Sequence, residues 1–317
     1  MNDLTEPHFT DKQILNLRGK KNSVDPHRPY AWLVERELSD EGEVEETGVV
    51  FLTNRECPFH CLMCDLWKNT TDDTIPSGAI PEQIEWALEQ MPGIKQVKLY
   101  NSGSFFDPRA IPEHEYKRIA SLLKDMRRVI VESHPAFIND RCLTLSRMLK
   151  PDLEVALGLE IADDAFLGKL NKKMTLDDFT RSVHFLSLHG IDTRAFILLR
   201  PPFMSEEEGI LMAERSIDFA FASGVKCCVV IPVRAGNGTM ESLAGQGLFS
   251  PPEIKSLEKV IEYGIGLDRG RVFADTWDLP LFSSCDICLD RRISRLNEMN
   301  LSQRIPEAVE CSCNSSN

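Results

Sequence analysis

What most limits the folds open to this chain is the regular alternation of apolar, strand-length runs with segments whose apolar residues recur at helical spacing. The run "GVVFLT" (48–53) leads into a loop and then "PEQIEWALEQM", which opens with Pro81, a residue suited to a first helical turn. The series continues with "QVKLYNSG", the helix-like "EHEYKRIASLLKDM", "RVIVES", a short helical stretch at 140–149, and "LEVALGLE". It goes on through "TLDDFTRSVHFLSLHG", closed by Gly190, then "TRAFILL", "SEEEGILMAERSIDFAFASG", closed by Gly224, and "KCCVVIPV". Counted this way there are six β/α units. Their alternation predicts parallel strands joined by right-handed crossovers, as a doubly wound sheet or a full or partial barrel. In either arrangement the loops after the strands gather at one face and carry the chemistry. We divide the chain into an N-terminal extension at 1–47 with an edge hairpin, a core at 48–278 and a cysteine-rich tail at 279–317.

Composition narrows the partners. The chain has 317 residues, with 49 acids against 36 bases and a formal charge of −13, which repels a phosphate backbone unless bases cluster. The short basic runs "RGKK" and "DRRISR" read as solvated surface, so direct nucleic-acid binding is disfavoured. Apolar runs fall well short of the roughly 20 residues a membrane helix needs, and no membrane partner is expected. The first residues lack a secretory pattern, so the expected compartment is the cytosol, where thiols stay reduced. Seven of the ten cysteines fall into two tight groups, which points to metal or redox chemistry. Cys142, Cys227 and Cys228 sit in apolar surroundings and read as core.

The first group, "ECPFHCLMC", sets Cys57, Cys61 and Cys64 at C-x3-C-x2-C spacing in the loop after the first strand. Three thiolates are too few for a four-thiolate zinc or iron-sulfur site. One metal position is left without a protein ligand, and a small molecule with an amino and a carboxylate group can chelate it. This spacing in this place resembles the radical S-adenosylmethionine (SAM) superfamily. The resemblance implies a partial (β/α)6 TIM-type barrel and a 4Fe-4S cluster on the three cysteines. It implies reductive cleavage of SAM to a 5'-deoxyadenosyl radical that abstracts hydrogen from a substrate. The cofactors carry that chemistry, and the protein fixes geometry and excludes water.

The resemblance also implies a SAM site assembled strand by strand. Met63, before the third cysteine, falls where the superfamily places an apolar side chain near the adenine. "LYNSGSFFD" stands in place of the superfamily's Gly-Gly-Glu-like turn, without its acid, and offers Asn101, Ser102 and Gly103 to the amino group. Glu160, ending "LGLE", is expected at the ribose, and Glu132 in "VESHP" lining the cavity. Arg200 is placed to fork the SAM carboxylate or, alternatively, to pair with Glu206. Val233 and Arg234 fall in the turn expected against adenine, while the lone His60 and His134 read as ordinary structural histidines.

Within the superfamily, "LYNSGSFFD", "VESHPAFI", "VALGLEIADD", "LNKKMTLDDF", "LLRPPFMSEEE" and "GTMESL" resemble the radical SAM subunit of archaeosine synthase. They resemble more distantly the radical SAM domain of the elongator catalytic subunit. That resemblance implies cleavage of a lysine adduct on a 7-deazaguanine in tRNA, so a modified nucleobase or nucleoside is the expected substrate class. A flavodoxin or ferredoxin is the expected reductant, and tRNA is expected only if a partner protein presents it.

In the second group, Cys285 and Cys288 form C-x2-C and Cys311 and Cys313 form C-x-C, with a helix expected between them. Four thiolates suffice for tetrahedral zinc or for an auxiliary 4Fe-4S cluster, and the spacing does not choose. A different class of function, a non-enzymatic iron-sulfur or zinc protein that passes electrons or docks a partner, fits the chain less well. A simple carrier holds its cluster with four ligands and has no use for six β/α units.

Overall fold

The expected strands form one sheet in chain order, with seven of its eight strands parallel. The structure, a computed structural model, describes residues 9–315, so positions 1–8 of the expected extension and 316–317 of the tail lie outside the described residues. After α1 (Asp11–Leu17), β1 (Ala31–Leu38) pairs antiparallel with β2 (Val44–Phe51). Parallel pairs then follow through β3 (Gln96–Tyr100), β4 (Arg128–Ser133), β5 (Asp152–Glu160), β6 (Asp192–Leu199), β7 (Cys227–Pro232) and β8 (Arg271–Ala274). Two boundaries differ from those read in the sequence. The first parallel strand starts at Val44, four residues earlier, because the acidic stretch before it pairs with β1. The strand-like "RVFADTW" supplies a seventh parallel strand, β8.

The helices α2 (Ala79–Gln90), α3 (Tyr116–Leu122), α4 (Asp140–Met148), α6 (Leu176–Leu188), α7 (Glu206–Ala222) and α9 (Ile254–Gly266) follow successive strands. The short α5 (Asp164–Lys169) and α8 (Thr239–Gly245) lie in the connections. Buried Val97, Leu99, Val129, Val131, Val155 and Leu157 alternate along their strands and belong to one continuous core with Ile84, Ile119, Leu145 and Phe179 of the helices. Strands covered on both faces read as nearly unbroken apolar runs, and this is why they stand out in the sequence.

The opposite face is concave and carries charge. Register places Lys98, Ile130, Glu154 and Asp192 side by side on β3 to β6. Arg194 of β6 reaches across to Glu37 of β1 (2.6 Å) and also holds Glu154 of β5 (2.6 Å). Lys98 pairs with Glu35 and Glu37, and Arg128 with Glu154 at 2.8 Å. Contact between β1 and β6, first and sixth in the order, requires the sheet to curl into a barrel. Above this floor, Tyr100 of β3 meets Phe196 of β6 edge-on at 6.0 Å, and Phe51 packs on Tyr100. Burial alone raises Glu37 and Glu154, but Arg194, with Lys98 at the first and Arg271 at the second, holds both carboxyls below their usual range.

The seam between β1 and β8 is closed by the tail. Arg271 Nη1 of β8 donates to Leu38 O of β1 at 2.9 Å. Helix α10 (Asp286–Ser302) packs on both strands. The carboxamide of Asn300 pairs with the N–H and C=O of Ala274 (2.8 and 2.9 Å), and that of Gln303 with those of Val272 (2.7 and 2.9 Å). These two side chains occupy the open edge of β8 as a further strand would. The tail expected as a separate appendage is therefore a stave of the barrel. No helix of the described residues is long and apolar enough to cross a membrane.

Replacing Arg194 with Met should cost about 3–5 kcal/mol, because it strips compensation from two buried carboxylates. Urea denaturation monitored by circular dichroism reads this directly, and a loss below about 1 kcal/mol would mean that the floor does not depend on Arg194.

Candidate active site

The loop after β2 is held from three directions. It closes on itself where Glu56 N donates to Thr71 O (2.9 Å) and Thr71 N to Asn54 O (2.9 Å). Asn237, in the loop after β7, donates from Nδ2 to Leu62 O (2.8 Å) and Cys64 O (3.2 Å), while its Oδ1 accepts from Met240 N. Asn171 donates to His60 O (2.6 Å) and to Asp11 of α1 (2.7 Å), and Leu62 N donates to Leu170 O. On the third side, Arg18 pairs with Glu56 at 2.6 Å and stacks on Trp67. The backbone carrying Cys57, Cys61 and Cys64 is thus fixed from the N-terminal helix, the segment after α5 and the far end of the sheet.

All three thiols are free. Each is pushed up to about 12, chiefly by burial, with the charge of another thiol in the trio contributing in the same direction. Thiols in such surroundings ionise when a metal supplies the positive charge, so the donor set suits a metal cluster and not a free nucleophile. Gly103 brings the next loop against this one: a Cβ there would stand 3.2 Å from Cys57 Cβ.

The turn after β3 has unmet demands. Asn101 is fully buried, and neither Nδ2 nor Oδ1 of its side chain has a hydrogen-bond partner among the described residues. Ser102 sits in the left-handed region (φ 54°), with its hydroxyl 3.1 Å from that of Tyr30. The acid absent from this turn arrives from the neighbouring strand: Glu132 Oε1 accepts from Asn101 N (2.6 Å) and Gly103 N (3.4 Å). Burial raises the Glu132 carboxyl to about 7 despite those donors. Glu132, expected at the cavity wall, therefore braces the turn.

Glu160 ends β5 at φ 64°, beside an irregularity in the β5–β6 register. Its carboxylate pairs with the buried Lys172. A Cβ on Gly158 would lie 2.5 Å from both Glu160 Oε1 and Lys172 Nζ, so the glycine leaves room for the pair. Sequence reasoning missed Lys172, one of a lysine pair between Asn171 and Met174 in "LNKKM". It also missed Asn171 and Asn237, polar residues in loops that nothing local marks as anchors.

Arg200 takes the alternative expected for it. Its Nη1 pairs with Glu206 (2.5 Å) and donates to Pro251 O (2.9 Å), so the free fork is not what the structure presents. Val233 is buried, Arg234 Nη1 lies 3.6 Å from Asp278, and Met63 is half-buried against the core. His134 accepts from Ala136 N at Nδ1, donates from Nε2 to Lys172 O and stacks on Phe59 at 4.0 Å. Burial, then Lys172, pushes it down to about 3, so it is a neutral structural histidine. His60 lies 3.3 Å from Asp11. The sulfurs of Cys285, Cys288, Cys311 and Cys313 all lie within 4.8 Å of one another.

Glu132 gives a pH signature. Its ordinary value is 4.5 and the folded chain raises it to about 7. Unfolded chains lose the proton first, so stability falls as pH rises from 4.5 to about 7, by at most roughly 3 kcal/mol, and is level above that. Glu132→Gln carries no charge at any pH. Its melting temperature should gain on that of the natural chain across this window, and a pH-independent difference would remove the assignment.

No protein-family model matches the chain. An uncharacterized protein of Methanocaldococcus jannaschii is 23% identical over 281 residues, spanning 83% of this chain and 77% of that protein. Archaeosine synthase subunit beta of Methanosarcina acetivorans is 25% identical over 282 residues, spanning 80% of this chain and 77% of that one. Among solved structures, Elp3 of Methanocaldococcus infernus is similar at a TM-score of 0.49 and 16% identity, over 60% of this chain and about half (51%) of that one. The similarity to archaeosine synthase subunit beta, over most of both chains, is the one the resemblance read in the sequence leads to expect, and the three-cysteine loop follows the first parallel strand.

Proposed function

We propose that the chain is a radical SAM enzyme acting on a modified nucleobase or nucleoside. The observation that carries this reading is the trio of free thiols, Cys61 buried and Cys57 and Cys64 half-buried, on an anchored loop beside a turn whose buried Asn101 amide has no partner among the described residues. Cys57, Cys61 and Cys64 would hold a 4Fe-4S cluster. With SAM bound, that pair supplies an electron and a 5'-deoxyadenosyl radical, the chemistry that makes unreactive C–H positions accessible.

The chain's own residues bind, orient and exclude. Asn101, Ser102 and Gly103 would receive the SAM amino group, with Glu132 holding their N–H groups in place and supplying the acid the turn lacks. Glu160 would meet the ribose hydroxyls from its position beside Lys172, and Met63, Val233 and Arg234 would flank the adenine. The SAM carboxylate contact goes to Arg200 only if Glu206 releases it. The aromatic layer of Phe51, Tyr100 and Phe196 would lie beneath the site and limit the entry of solvent from below.

For the substrate, similarity to archaeosine synthase subunit beta supports archaeosine-type C–N cleavage. A charge of −13 disfavours unaided tRNA binding, so any tRNA would be presented by a partner protein. A flavodoxin or ferredoxin in the cytosol would supply the electron.

Anaerobic reconstitution with iron and sulfide, then reduction with SAM present, should yield 5'-deoxyadenosine and methionine by chromatography. Cys61→Ala should abolish the product while leaving the fold intact. A reconstituted cluster whose spectrum ignores SAM, with no 5'-deoxyadenosine formed, would refute the enzyme reading. Nucleoside profiling of a deletion strain tests the substrate class separately.

A further inference from the structure

Cys285 caps the N-terminus of α10 and Cys288 lies in its first turn, while Cys311 and Cys313 come from the chain's return past the helix C-terminus. Cys285 Sγ lies 3.9 Å from Cys311 Sγ, and Cys288 Sγ 3.6 Å from Cys313 Sγ. A tetrahedral ion with metal–sulfur bonds near 2.3 Å holds its sulfurs about 3.8 Å apart. A cubane places an iron at each ligated corner of a cage and holds its thiolates much further apart. The sulfur spacing therefore resolves the ambiguity of the sequence in favour of one ion.

The surroundings are built for a charged site. Four thiolates on a dication leave a net negative charge, and Arg292 donates from Nε to Cys288 Sγ at 3.3 Å. The same helix fastens the return segment by its backbone. Arg295 donates to Pro306 O (2.7 Å) and Glu307 O (2.8 Å), Arg292 to Val309 O (3.4 Å), and Arg291 to Glu310 O (3.1 Å). Arg292 and Arg295 also pair with Glu258, and Arg295 with Glu262, which ties α10 to α9. At its other end α10 presents Asn300 and Gln303 to the edge of β8.

We propose that Cys285, Cys288, Cys311 and Cys313 hold a single zinc ion in a closed structural site that clasps α10 across the β1–β8 seam of the barrel. Four protein sulfurs leave no position for substrate, so the ion's work is to keep the stave in place. This does not depend on the loop cysteines holding a cluster.

Metal analysis of the full chain purified anaerobically should find about one zinc per chain. The Cys57→Ser/Cys61→Ser/Cys64→Ser chain should keep that zinc, and cobalt exchanged into it should show the charge-transfer absorption of a tetrahedral thiolate site. Cys311→Ser/Cys313→Ser should lose the zinc and speed hydrogen exchange at the Val272 and Ala274 amides by about tenfold or more. Should that variant fail to fold, the cobalt spectrum and the zinc content of the loop-serine chain still decide the metal. In that case the clasp is read by exchange at the same two amides after a mercurial displaces zinc from the natural chain. Iron in place of zinc in the loop-serine chain would overturn the proposal, as would unchanged exchange at β8 after zinc loss.

Discussion

Arg194 is where the barrel becomes a barrel. An open sheet of eight strands in chain order brings its first and sixth strands together only by curling, and the guanidinium that joins Glu37 to Glu154 spans that curl. Charges so deep are costly alone, and only a complete set of partners makes them tolerable. The arrangement specifies curvature more than it adds stability, because the carboxylates and cations of β1, β3, β4, β5 and β6 are satisfied together or left wanting together. With curvature set at the floor, the loops after the strands converge at the opposite end.

At that end the chain builds rigidity from amides. Asn237 and Asn171 hold main-chain carbonyls of the cysteine loop, and Glu132 holds main-chain N–H groups of the turn opposite it. Short polar side chains bonded to backbone suit a site where thiol positions must be reproducible and where side chains of the loop itself must stay free for ligands. The left-handed residues Ser102, Glu160 and Arg200 each follow or end a strand, placing local backbone strain at the rim and not in the floor.

Most of the scaffold was legible because period and burial agree. "RVIVES" and "TRAFILL" read as strands and are strands, and "SEEEGILMAERSIDFAFASG" holds the helix that follows β6, which Ser205 and Glu208 cap. The cysteine loop was legible through its spacing together with its place after the first strand of the β/α series. What escaped has a common cause: it depends on partners distant in sequence. The edge hairpin is expected, but that its Glu35 and Glu37 find Lys98 and Arg194 across the barrel is announced by no local pattern. Lys172 looks like surface until Gly158 makes room for it beside Glu160. The tail reads as an appendage until Asn300 and Gln303 are seen bonded to β8. Arg200 is the exception: its partner Glu206, the first residue of the next helix, is close in sequence and is the alternative read for it.

Asn237 joins the loop after the second strand of the sheet to the loop after the seventh, so its two bonds lie across the mouth like a tie-rod. Dilation of the entrance between those strands and displacement of the sulfur ligands are then one coordinate, not two. A bulky guest that wedges the rim apart on that side would disturb the thiol trio directly.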